Sequence, residues 1–71
     1  MDRLKQLQHL AEAERNIARG EHNISEQELR IADLDCHGYD TMLARSLLET
    51  FRVTQAQRIV HRDHILRELA Q

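Results

Sequence analysis

The chain has 71 residues, 10 Lys+Arg against 12 Asp+Glu, 5 His, no Pro, 2 Gly and 3% aromatics. These numbers allow one small domain, residues 1–71, and exclude a large enclosed pocket or a disulfide scaffold, because the single Cys has no partner within the chain. A net charge of −2 gives no general pull toward nucleic acid or acidic membranes, and no apolar run approaches the length of a membrane span. Ala, Leu, Glu, Gln and Arg dominate and no strand-length alternation occurs, so the chain is expected to be all-α.

The first half carries a seven-residue repeat. Residues 13–19, 20–26 and 27–33 align so that Glu14, Glu21 and Glu28 form one column and Ile17, Ile24 and Ile31 another, with Leu10 extending the Ile column backward. A seven-residue period keeps one apolar seam turned toward a partner helix, as in a coiled coil. The alternate seam positions are Leu7, Ala13, Gly20 and Gln27, with Leu34 following Ile31, and Ala13 and Gly20 are expected to admit a neighbouring backbone. One local signal competes. Ser25 and Glu28 have capping-box spacing, Ile24 and Leu29 can staple, and Gly20 can end a helix. The heptad register crosses this region without a slip, so a continuous first helix over about 2–36 is expected, with a kink near Gly20 as the intermediate case.

Gly38 then marks a stop, suited to the left-handed position after a helix C-terminus. Asp40 is the expected N-cap of the second helix, with Tyr39 stapled onto Ala44. From Thr41 to about Ala70 nothing breaks the chain, and Leu47, Leu48, Phe51, Ile59, Leu66 and Leu69 recur at helical spacing. A short turn between two long helices predicts an antiparallel two-helix hairpin, about 2–36 and 41–70.

The arms differ in charge. Residues 1–36 carry five basic and eight acidic groups, and residues 41–71 five basic and three acidic. Folding about Gly38 is expected to bring Glu14 near Arg62 and Glu21 near Gln55 or Arg58.

One hairpin seam is too thin to offset the conformational entropy of 71 residues. Apolar residues also occupy a second face of each helix. Val53, Ala56 and Val60 lie opposite Phe51, and Ala11, Ala18 and Ala32 run beside the Ile seam near Leu4, Leu29 and Cys36. A homodimer closing into a four-helix bundle is therefore expected, with packing and dimer contacts at Leu10, Ile17, Gly20, Ile24, Ile31, Leu48, Phe51, Val53, Val60 and Leu66.

Chemistry-bearing patterns are sparse. His61 and His64 are one turn apart but lack a clear third metal ligand, with His9 the nearest candidate. Cys36 beside His37 lies near a helix C-terminus, which disfavours a thiolate, so a packed small hydrophobe is expected there. The Glu14, Glu21 and Glu28 column has no Glu-x-x-His partner of the di-iron kind, and no phosphate loop or nucleophile–base grouping exists. No catalytic residue, cofactor or metal is expected. The function expected is a small non-enzymatic interaction or regulatory protein that self-associates, with a further protein partner left open. The alternative is a dimeric RNA- or DNA-binding hairpin in which Arg45, Arg52, Arg58 and Arg62 follow phosphates. Pairing of those arginines with the acidic arm is the competing and favoured role.

The stretch Leu10 to Leu69 resembles a group of short, uncharacterised bacterial helical-hairpin proteins. The resemblance is carried by residues 9–15 (His9, Leu10, Ala11, Glu12, Ala13, Glu14, Arg15), the Gly20-Glu21 step and the turn His37-Gly38-Tyr39-Asp40-Thr41. It continues through Leu43-Ala44-Arg45, Leu47-Leu48, Thr50-Phe51 and Thr54-Gln55, and departs at Ser25-Glu26-Gln27, where a smoother helical run is expected. It implies a cytoplasmic bacterial setting and no site residues.

Overall fold

The computed structural model describes residues 2–71. Two helices account for nearly all of them: α1, Arg3–Cys36, and α2, Met42–Leu69. They pack antiparallel into a rod 54 × 14 × 13 Å, and among the described residues there is no strand. The helix α1 runs unbroken through Gly20 and Ser25. The capping-box signal is silent there because Glu28 reaches across to Arg52 rather than back to a helix start.

Asp2 caps α1 by accepting the Leu4 N–H at 3.0 Å. The turn is a Schellman motif. Tyr39 N–H donates to Leu34 O at 2.9 Å and Gly38 N–H to Asp35 O at 3.1 Å, with Gly38 at φ 74°. The start of α2 differs from expectation by one residue. Thr41 is the cap residue, while the Asp40 carboxylate, one step earlier, accepts the Met42 N–H at 3.0 Å. Tyr39 does not staple onto Ala44. It is exposed and its ring lies against that of His37, because the reversal at Gly38 carries it outward.

Buried and half-buried positions stepping by four and three define the seam. On α1 these are Gln6, Leu10, Ala13, Ile17, Gly20, Ile24, Gln27, Ile31 and Leu34, with Asn16 and Asn23 half-buried beside them. On the other side they are Thr41, just before α2, then Ala44, Leu48, Phe51, Gln55, Arg58, Arg62, Ile65 and Leu69, with Thr54, Asp63 and Glu68 half-buried beside them. Ile65, only 3% exposed, is the most buried side chain. Its neighbour Leu66 and the more distant Leu47 and Ile59, expected on this stripe, lie outside it.

Half of the α2 seam is polar, and it is locked to α1 by side chain–backbone bonds. Gln55 Nε2 donates to Ile17 O at 2.8 Å, and Gln27 Nε2 donates to Ala44 O at 2.9 Å. Each bond satisfies a buried amide N–H that would otherwise be expensive to desolvate, while Gln55 Oε1, packed against Gly20, is buried without a partner. Contrary to the expectation from sequence, Gly20 admits side chains rather than a neighbouring backbone. Its missing side chain makes room for the Gln55 carboxamide and the Arg58 guanidinium, so a Cβ there would lie 2.7 Å from Gln55 Cδ and 2.8 Å from Arg58 Nη1.

Two outcomes follow for stability. Gly20→Val should destabilise the hairpin by about 2 kcal/mol through overpacking, and Gln55→Ala in the same chain should recover most of that loss in a denaturant-melt double-mutant cycle. Gly38→Ala should cost about 1–2 kcal/mol, the left-handed backbone penalty alone, because nothing lies within 4 Å of the added methyl. Gly38→Asn should cost less in the same melts.

Candidate interaction face

When each heptad is lettered so that seam residues are a and d, the two flanks of the rod have different chemistry. The e columns of both helices share one flank, because Arg45 Nη2 meets Asp35 Oδ2 at 2.8 Å and Arg52 Nη2 meets Glu28 Oε2 at 3.4 Å across the seam. Near the turn this flank is therefore ionic. Toward the open end it becomes apolar. The e positions of α2 are there Ile59 and Leu66, with Leu7 on α1, each 37–44% exposed, although Glu14 and Glu21 continue the α1 e column between Leu7 and Glu28. The adjacent b columns add Leu4, Ala11 and Ala18 on α1 and Ala56 and Ala70 on α2, all exposed. Val53 and Val60 stand beside them at the outer edge of α2 and are 50% and 64% exposed.

The opposite flank is polar. It presents His9, Asn16, Asn23 and Arg30 on α1 and Thr54, His61 and Glu68 on α2 at the g positions, and Lys5, Glu12, Arg19, Glu26 and Asp33 at the neighbouring c positions of α1. Leu43 and Leu47 interrupt it near the turn, both exposed.

The residues expected at packing or dimer contacts divide into two groups. Leu10, Ile17, Gly20, Ile24, Ile31, Leu48 and Phe51 lie in the seam of the hairpin itself. Val53, Val60 and Leu66 point away from it and are covered by nothing in the chain. The apolar end of the flank adds Leu4, Leu7 and Ile59; spacing alone places Leu7 and Ile59 in the seam, but the seam runs instead through Gln6 and Arg58.

The arginines are placed differently from one another. Arg45 and Arg52 are held by Asp35 and Glu28, and Arg45 Nε also donates to Thr41 Oγ1 at 2.9 Å. Arg62 is half-buried at the seam with its Nε on Asp63 at 2.9 Å, so the Glu14–Arg62 pair expected from the folding register does not form. Arg58, also half-buried at the seam, lies over Gly20 rather than against Glu21. The reason is geometric: Glu14 and Glu21 occupy e positions, whose cross-seam counterparts are Leu66 and Ile59, whereas Arg58 and Arg62 are seam residues.

At the open end the helices are tied by polar contacts. Gln6 Nε2 donates to Glu68, Arg3 Nη1 to Leu69 O at 3.2 Å, and His64 Nε2 pairs with Glu68 one turn on at 2.6 Å. His64 is thus engaged by Glu68, and among the described residues no three His, Cys, Asp or Glu side chains gather as metal ligands. Cys36 is free and exposed rather than packed, since it lies on the face of α1 turned away from the seam residues Ile31 and Leu34. Among the described residues no helix is long and apolar enough to cross a membrane.

No family model, curated protein or solved structure matches the chain.

The ionic end offers a direct check. The Asp35–Arg45 and Glu28–Arg52 side chains are each at least half exposed, so solvent screens them. Double-mutant cycles should return couplings below about 1 kcal/mol that shrink further in molar salt. Glu14→Ala with Glu21→Ala should leave the pairing of the two helices in one chain unchanged, because neither carboxylate holds an arginine of α2.

Proposed function

We propose that the protein is a non-enzymatic interaction module that acts by helix packing. Its first partner is a second copy of itself, and the two hairpins close into a four-helix bundle with coiled-coil-like packing. The observation that carries this reading is the uncovered apolar row on one flank, with Leu4, Leu7, Val53, Ile59, Val60 and Leu66 all exposed. Scattered exposed leucines are ordinary, but a row on one side of two helices beside a polar opposite side suits a partner surface.

The surface area supports the same reading. The hairpin exposes 5536 Å², whereas a compact monomer of this mass exposes about 4,600 Å². The excess, roughly 900 Å², matches the ~800 Å² that each partner loses in a standard interface. The radius of gyration, 16.3 Å, likewise exceeds the ~11 Å of a compact domain of this length. The alternative of phosphate binding by the α2 arginines draws less support. Arg45, Arg52 and Arg62 already hold carboxylates of the same chain.

Light scattering at micromolar concentration should give twice the 8.4 kDa chain mass. Ile59→Glu with Leu66→Glu should shift the species to monomer and lower the thermal midpoint, since both side chains are outside the hairpin seam. A helical wild-type monomer at that concentration would overturn the proposal.

A further inference from the structure

The geometry points to one arrangement of the second copy: two hairpins face to face with their turns at the same end of the bundle. This rests on the self-association reading above and specifies its geometry. A twofold axis that brings the e-bearing flanks together must lie in the plane between them. It runs either along the rod or across it, and the two cases put different residues in contact.

With the axis along the rod, α1 of one hairpin lies over α2 of the other, and equal heights meet. The open end then covers the open end, Leu7 and Ala11 lying near Leu66 of the copy, while Glu14 and Glu21 of α1 come beside the copy's Leu66 and Ile59. Near the turn, Glu28 and Asp35 lie level with the copy's Arg52 and Arg45. Each ionic pair already made within the chain gains a second carboxylate–guanidinium neighbour across the interface. Every helix has only antiparallel neighbours of opposite net charge, because residues 1–36 carry −3 and residues 41–71 carry +2.

With the axis across the rod, α1 lies over α1 and α2 over α2. The carboxylates at 14, 21, 28 and 35 of α1 then confront the same column of the copy, running the other way. Leu66 and Ile59 fall opposite Arg45 and Arg52, which desolvates guanidiniums against apolar side chains. The confrontation of two like-charged carboxylate columns, absent when the turns share one end, opposes that arrangement.

The single native cysteine makes the two distinguishable without mutation. Cys36 is exposed and lies in the last turn of α1, at the turn end of the rod. A nitroxide attached there should give, by double electron–electron resonance, a label-to-label distance of about 25–40 Å, set by packed helices about 10 Å apart plus the two label arms. Turns at opposite ends would place the labels about 50 Å or more apart, at 1.5 Å of rise per residue, and that result would overturn the arrangement while leaving self-association intact. Light scattering on the same labelled sample reads the mass independently. A monomeric mass with no dipolar modulation would remove the self-association reading and this arrangement with it.

Discussion

The hairpin depends on a fit between an absence and an amide. At the middle of α1 the chain has Gly20, and the volume left open is taken by the Gln55 carboxamide, which bonds to the Ile17 carbonyl one turn earlier. A helix usually avoids glycine at its centre because of the backbone entropy lost there. Here the loss is offset by a buried hydrogen bond that only one alignment of the helices permits. A shift of one heptad would set Gln55 against Ala13 or Gln27, where the vacated volume does not exist. Gln27, bonded to the Ala44 carbonyl, imposes the same alignment closer to the turn. Two amides therefore fix register where an all-aliphatic seam would tolerate slippage, the specifying use of buried polar groups.

The seam's polarity also explains why the rest of the surface is as apolar as it is. Positions 55, 58 and 62 of α2, which face α1, are Gln, Arg and Arg. Much of the helix's aliphatic content lies instead at Val53, Ile59, Val60 and Leu66, on the outside. The hydrophobic material is thus divided between holding two helices of one chain and a flank that nothing in the chain covers. Such a division leaves a single hairpin thin, with a core of five buried apolar residues, Ala13, Ile17, Ile31, Leu48 and Ile65, none of them wholly enclosed.

This division sets what could be read before the structure. The hairpin, its turn at Gly38 and the unbroken α1 were legible because heptad columns and a left-handed glycine are local signals. The second apolar face was legible in Ala11, Ala18, Val53 and Val60 for the same reason. The seam of α2 was not. Tracing apolar residues alone leads from Phe51 to Ile59 and Leu66, whereas the true stripe passes through Gln55, Arg58 and Arg62 to Ile65. Hydrophobicity cannot mark a position whose burial is made tolerable by a glycine on the other helix. The ion pairs were misassigned as a consequence, since a one-position error in the stripe moves every flanking charge.

The turn has a kinetic implication. With the Schellman motif closing only a five-residue connection between α1 and α2, the first interhelical contacts join residues close in sequence, such as Asp35 and Arg45, ten apart. Those at the open end join Arg3 and Leu69, 66 apart. Loop-closure entropy grows with that separation, but once the turn is set each successive layer closes only a short additional gap. The chain is thereby wired to assemble as a zipper from Gly38 outward, and to fray in the reverse order. The last layers to close carry the uncovered Leu4, Leu7 and Leu66, so the apolar flank is completed only when the zipper reaches the chain ends.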